Sequence, residues 1–254
     1  MRLEGGAALV TGSSRGIGRA IALRLAREGA DVVVNYSRNE AEAREVVAGV
    51  EAAGRRGFAV QADLRKADEA RRLIEEAAEG LGRLDILVNN AGGGRAGAFT
   101  EVTEEDYDHV VDLNLKGVFF ATQAFARLLI AAGRPGRVIT ISSVHEEIPL
   151  PGQASYCAAK GGVKVLTRDL AVDLARHGIT VNAIAPGAIA TDANAELMKD
   201  KPRLEALLRQ IPLGRLGAPD DVAGVAAFLA SDDAAYVTGS TYFVDGGLTW
   251  FYEE

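Results

Sequence analysis

The sequence predicts an α/β protein built on one doubly wound, seven-stranded parallel sheet with helices on both faces. Three observations predict it. Strand-length apolar runs alternate with helix-length segments along the chain, as successive βαβ units require. Four of those runs open directly into glycine-rich or polar loops, which is where ligands bind in open parallel sheets. The chain has 254 residues and 48% hydrophobic content, enough for one sizeable core, so a single domain over 1–254 is expected.

Taken in order, Ala7–Val10 forms the heart of a buried strand near 7–11 and runs into Thr11, Gly12, Ser13, Ser14, Arg15, Gly16, Ile17 and Gly18, which open a helix near 16–28. The glycines, spaced Gly-x-x-x-Gly-x-Gly, let the backbone turn sharply and approach a pyrophosphate, whose charge the first amides of the helix would meet. Strands near 31–35 and 57–61 alternate with helices near 39–53 and 67–81. Arg55–Arg56 and Arg71–Arg72 fall on or beside these Glu-rich helices and read as solvated faces. A strand near 84–88 opens into Asn89, Asn90, Ala91 and Gly92. Thr103–Asp106 resembles a capping box, with Asp in place of Glu or Gln, and starts a helix near 103–131. Asn114 interrupts its apolar run and needs a buried partner.

A strand near 136–142 then opens into Ser142–Ser143, a helix follows near 154–176, and a strand near 179–184 leads to Pro186–Gly187. Pro219 fits the first turn of a helix near 219–230, and a last strand lies near 240–244. Between Pro186 and Pro219 the rhythm breaks. Ile189, Ala190, Leu197, Met198, Leu204, Leu207, Leu208 and Ile211 form an amphipathic pattern, and a segment of this length beside the cleft, about 188–216, reads as a lid; the alternative is a helical hairpin packed permanently on the core.

The chemistry centres on Tyr156 and Lys160, four residues apart and so on one face of a helix. A Lys near a Tyr hydroxyl favours the phenolate, which brings a phenol toward the range where general acid–base catalysis is effective. Hydride leaving an alcohol carbon requires the hydroxyl proton to leave as well, and such a phenol can take it.

Several classes are excluded. A net charge of −7 with scattered basic residues disfavours nucleic acid. No apolar run approaches the roughly eighteen residues that cross a membrane, and Met1–Glu4 leads into the first strand without a signal pattern, so a cytoplasmic protein with no membrane partner is expected. The single Cys157 excludes an intramolecular disulfide framework, and with only His109, His145 and His177 there is no Cys/His metal set. Cys157 reads as a packing residue.

In order and spacing together, Thr11 to Gly18, Asn89 to Gly92, Asn114, Ser143, Tyr156, Lys160, Pro186, Gly187 and Thr191 resemble the short-chain dehydrogenases/reductases over essentially the whole chain. The resemblance implies a Rossmann-type sheet of order 3-2-1-4-5-6-7 and hydride transfer between a nicotinamide and a carbonyl or alcohol carbon. It assigns proton exchange to Tyr156, orientation of the substrate oxygen to Ser143, and ribose binding and activation of Tyr156 to Lys160. Asn114 would hold a water that relays protons to Lys160. Ser143 is preferred to Ser142 because it stands thirteen residues before Tyr156, the family's spacing. The cofactor site so implied takes Gly12, Ser14, Arg15, Gly16, Ile17, Gly18, Tyr36, Ser37, Arg38, Asp63, Leu64, Asn90, Ala91, Gly92, Tyr156, Lys160, Pro186, Gly187, Ile189 and Thr191. The family's two-fold assembly, the apolar length of the two long helices and the aromatic tail Leu248–Tyr252 imply a homotetramer.

NAD-selective folds put an acidic residue at the end of the second strand, where it binds the adenosine ribose. Here the position falls on Tyr36, followed by Ser37 and Arg38. With Arg15 these could grip a 2′-phosphate, so NADP is the expected cofactor, with NAD also usable. Ser143–Glu146, Pro149, Pro151 and the run Tyr236–Gly247 look like the bacterial glucose 1-dehydrogenases, which implies a sugar or polyol contacting Ser143, His145 and Tyr156. Gly93, Gly94 and Arg95 depart from those sugar enzymes, some of which carry an acidic side chain there. A competing enzyme reading is a 3-oxoacyl-[acyl-carrier-protein] reductase, with Arg127, Arg134 and Arg168 contributing a basic patch for an acidic carrier. A non-enzymatic reading, a dinucleotide-sensing regulatory module, is opposed by the presence of Ser143, Tyr156 and Lys160 together.

Overall fold

A computed structural model describes residues 1–251. Seven parallel strands lie in the order β3-β2-β1-β4-β5-β6-β7, as the resemblance implied. They are β1 (Ala7–Val10), β2 (Asp31–Tyr36), β3 (Gly57–Gln61), β4 (Ile86–Asn89), β5 (Gly136–Ile141), β6 (Ile179–Pro186) and β7 (Thr241–Val244). Successive side chains of a strand face opposite sides. Ala8 and Val10 therefore join one core, beneath α1 (Gly16–Arg27) and α2 (Glu40–Ala52), while Ala7 and Leu9 join a second, beneath α3 (Ala67–Leu81). Both faces being covered, the inner strands are apolar throughout rather than alternating.

The expected helix 103–131 is continuous but not uniform. α4 (Glu104–Val111) passes through a π-turn at Asp112–Lys116 into α5 (Gly117–Ala132). The Asn114 amide donates to the Val110 carbonyl at 2.8 Å, so a side chain takes an acceptor that a backbone N–H would use in an α-helix. The capping box is one-sided: Thr103 accepts from the Asp106 amide at 3.1 Å, but the Asp106 carboxylate takes the Thr103 hydroxyl at 2.9 Å rather than its N–H. By length and composition the stretch Glu104–Ala132 could cross a membrane, contrary to the sequence expectation. In this fold Ala121, Phe125, Ala126 and Leu129 are buried in the second core instead.

The strand order reverses between β1 and β4, which opens the crevice at the carboxyl edge of the sheet. α6 (Ala154–Ala175) brings Tyr156 and Lys160 to that edge. β6 runs two residues further than expected, to Pro186, and the Gly187 amide then donates to Val244 at 3.0 Å. Next come α7 (Ala195–Lys199) and α8 (Lys201–Gln210), neither of which contains a buried residue. The base of this segment is fixed, because Ile189 bridges to Gly217 and both Ile189 and Ile211 are buried. α9 (Pro219–Ala230) begins at the predicted proline and completes the first core.

Candidate active site

Ser143, Tyr156, Lys160 and Asn114 come together at the crevice from three elements. Ser143 follows the end of β5, its oxygen accepting the His145 amide at 3.2 Å. Lys160, 4% exposed, donates from Nζ to the Ile141 carbonyl at 2.8 Å and lies 5.4 Å from the centre of the Tyr156 ring. Burial pushes the Lys160 ammonium down to about 8, opposed by the charge of Glu146. Burial pushes the Tyr156 phenol above its ordinary value, partly offset by a hydrogen bond with Ser143. The sequence led us to expect a lowered phenol. Here desolvation of the phenolate dominates, and the lysine is tied to the strand.

Asn114 is fully buried, and its amide is engaged with protein. Nδ2 donates to Gly93 at 2.7 Å as well as to Val110, and Oδ1 accepts from Gly93 at 3.3 Å. A Cβ on Gly92 would stand 2.8 Å from Asn114 Oδ1 and 3.6 Å from Lys160 Nζ, so only glycine lets these groups converge.

The glycine loop has the form a pyrophosphate needs. Gly12 has φ +59°, and a Cβ there would come within 2.9 Å of Ala91 Cα; one on Gly18 would strike Asn90 Nδ2 at 2.4 Å. Arg15 at the start of α1 makes no capping hydrogen bond, and the first turn holds no acidic side chain, so the helix end suits an anion. These features fit the phosphates of a dinucleotide. Asn90 ties the loop to β4 by donating to the Thr11 and Gly12 carbonyls, both at 2.9 Å. Across the crevice, Thr191 lies beside Gly16, joining the base of the 188–216 segment to this loop.

Sequence reasoning missed Asn35. It is buried at the end of β2, accepts from the Gly12 amide at 2.9 Å, and donates to the carbonyls of Tyr36, Val60 and Ala62. The signal was present: a carboxamide ending the apolar run Val32–Val34 needs buried partners.

The residues expected around the adenosine divide. The Tyr36 ring is buried in the first core, whereas Ser37 and Arg38 are exposed. Leu64 is buried, and the Asp63 carboxylate is held by Arg65, which keeps it below the usual carboxylate range. His109 is pushed down by burial and by the charges of Arg95, Arg65 and, least, Arg38, with Asp63 opposing them.

His145 lies edge-on to Tyr156, with ring centres 6.4 Å apart, and its Nδ1 is 3.2 Å from the Ile148 carbonyl. A carbonyl only accepts, so Nδ1 carries the proton and Nε2 presents a lone pair. Burial favours this neutral ring. Glu146, the next residue, is buried and accepts the Ser142 hydroxyl. Arg95, in the loop that departs from the sugar enzymes, pairs with Asp106. Arg134 pairs with Asp85 at the amino edge of the sheet, remote from the crevice.

A family profile described as Enoyl-(Acyl carrier protein) reductase matches residues 11–249. The chain is 47% identical over 249 residues to 3beta-hydroxysteroid dehydrogenase 1 of Eggerthella lenta, covering 98% of this chain and 95% of that protein. It is 48% identical over 245 residues to a 3-oxoacyl-[acyl-carrier-protein] reductase of Synechocystis sp., covering 96% and 97%. To glucose 1-dehydrogenase 2 of Bacillus subtilis it is 42% identical over 250 residues, covering 98% and 96%. A crystal structure from Agrobacterium tumefaciens with bound NADP, provisionally described as a 2-deoxy-D-gluconate 3-dehydrogenase, superposes with a TM-score of 0.91 at 43% identity over 97% of each chain.

Proposed function

This chain belongs to the short-chain dehydrogenase/reductase family and is an NAD(P)-dependent oxidoreductase, and from that premise we propose that it acts on a sugar or polyol, prefers NADP and works as a homotetramer. The observation that carries the substrate reading is His145. Its neutral ring stands beside Tyr156 with Nε2 available as an acceptor, which suits a second hydroxyl next to the reacting one. The relative from Bacillus subtilis supports the same reading.

The bound nicotinamide would accept or supply the hydride. Tyr156 would hold or release the substrate hydroxyl proton, and Ser143 would orient the same oxygen. Lys160 would place a positive charge behind the phenol, and Asn114 would anchor the Gly93 loop and a water leading to Lys160. Gly12, Ser14, Gly16, Ile17 and Gly18 would cradle the phosphates, with Arg15, Ser37 and Arg38 at the 2′-phosphate. Asp63, Leu64, Asn90, Ala91, Gly92, Pro186, Gly187, Ile189 and Thr191 would line the rest of the cofactor, and α7 and α8 would close over the substrate as a lid.

The second reading, a 3-oxoacyl-[acyl-carrier-protein] reductase, is supported by the Synechocystis relative. Its carrier would have to engage Arg127 and Arg168, which are exposed on α5 and α6, without Arg134. A spectrophotometric screen at 340 nm of sugars, polyols, steroids, acetoacetyl thioesters and simple ketones with both cofactors tests the choice. Faster turnover of a sugar or polyol with NADP is expected; a clear preference for the acetoacetyl thioester would reverse it.

A further inference from the structure

Two buried charges at this site lack an ion pair among the described residues. Lys160 donates its hydrogen bond to the neutral Ile141 carbonyl. Glu146, 9% exposed, accepts the Ser142 hydroxyl on Oε2, while its fully buried Oε1 makes no hydrogen bond of normal geometry. The salt bridge nearest in sequence joins Lys164 to Glu147 instead. The ammonium and the carboxylate thus hang from consecutive residues, Ile141 and Ser142, at the end of β5 and immediately before Ser143.

We propose that Glu146 is a positioning residue for the reaction, serving as the counter-charge that keeps Lys160 cationic behind Tyr156. The inference rests on the roles given above to Ser143, Tyr156 and Lys160. An isolated buried ammonium sheds its proton unless an opposite charge shares its low-dielectric surroundings. Glu146 supplies that charge without contacting substrate, and its Ser142 hydrogen bond fixes where the charge sits.

The other groups facing Glu146 do not replace it. α6 brings Lys164 as well as Lys160, which the charge of Glu146 reaches; its own turn brings His145 and Glu147, and β7 brings the Thr241 hydroxyl. Tyr242, the titratable side chain of β7, packs against Phe228, and β6 contains no titratable residue. Burial pushes the Glu146 carboxyl up, whereas Ser142, Thr241 and Lys164 favour its charged form.

The test titrates the cofactor-free protein by NMR with ¹³Cε-labelled lysine, Lys160→Met assigning the resonance. In Glu146→Gln the Lys160 midpoint should fall by about half a pH unit or more; an unchanged or higher midpoint overturns the proposal. A second titration needs no variant. ¹³Cδ-labelled glutamate in the unaltered protein should show Glu146 ionised at pH 7, and a carboxyl still protonated there overturns the proposal whether or not Glu146→Gln folds. In the direction of carbonyl reduction, the high-pH fall of kcat should move to lower pH in Glu146→Gln with KM for the cofactor unchanged. A lower kcat with an unmoved pH profile would mark a purely structural residue and overturn the proposal. Were the unaltered protein to turn over no carbonyl or alcohol, the functional reading would fail, and the two titrations would still decide this inference.

Discussion

Lys160 donates to the carbonyl of Ile141 at 2.8 Å, so the cation that would activate the phenol is tethered to the strand that delivers Ser143. Tyr156 is the group that would exchange the substrate hydroxyl proton in the proposed reaction. Tyr156→Phe should therefore abolish nearly all turnover while leaving cofactor affinity within a few fold, because only the reacting oxygen is lost. Steady-state kinetics and equilibrium binding check this. Retention of even about a tenth of the unaltered turnover at saturating substrate would remove Tyr156 from the mechanism.

The buried ammonium should also be visible in stability. Its folded value, about 8, lies below the unfolded 10.5, so the unfolded chain binds the extra proton between these limits. On this account Lys160 destabilises the fold fully below pH 8, and the penalty is relieved as pH rises toward 10.5. Lys160→Met should be inactive yet more stable at pH 7, by up to about 3 kcal/mol, with the gain shrinking at pH 10. Denaturant titrations at both pH values measure it, and a Met variant less stable than the unaltered protein at pH 7 would contradict it.

Asn35 gives a test of the loop that is independent of the chemistry. Asn35→Leu keeps the branched shape but enlarges the side chain, strands the Gly12 amide and removes three carbonyl contacts, so it should cost at least about 2 kcal/mol. It should also weaken dinucleotide binding, because Gly12 would no longer be held. Full stability with unchanged cofactor affinity would show that Asn35 does not organise the loop.

The long helices were legible because they depend on local periodicity, whereas the sheet order and the roles of Ser143, Tyr156 and Lys160 followed from the family that the spaced motifs resemble. What escaped depends on which partner each polar side chain turns to. Asn35 meets Gly12 across 23 residues, and nothing at Asn114 alone announces a π-turn. Glu146 follows His145 directly, but the two side chains part: His145 lies beside Tyr156, whereas Glu146 turns inward to the Ser142 hydroxyl. Tyr36 stood where an acidic residue would contact the ribose, yet its ring completes the first core.

The position of Tyr36 alters the cofactor experiment. Tyr36→Asp would bury a carboxylate, whereas exposed Ser37 can carry one, so Ser37→Asp should move preference toward NAD without loss of stability. Arg38→Ala should raise KM for NADP at least about tenfold with little change for NAD, since a charge-assisted phosphate contact is worth about 1.5–3 kcal/mol. If the unaltered enzyme used NAD at least about tenfold more efficiently than NADP, the phosphate role of Arg38 would be discarded.

The assembly prediction follows from one helix face. Val165 and Val172 lie seven residues apart on α6, and so on one side of it, at 63% and 79% exposure. Phe119 and Ile130 are likewise exposed on α5, and Trp250 and Phe251 near the end of the described chain; Tyr252, counted with them in the sequence, lies outside the described residues. Scattered apolar residues are ordinary on a surface, but aligned β-branched residues on a long helix favour a self-complementary, two-fold contact. Light scattering at micromolar concentration should return four times the monomer mass. The double variant Val165→Asp, Val172→Asp places like charges across that two-fold axis and should yield a smaller species with unchanged circular dichroism. A monomeric unaltered protein would overturn the tetramer, and a tetrameric double variant would move the contact away from α6.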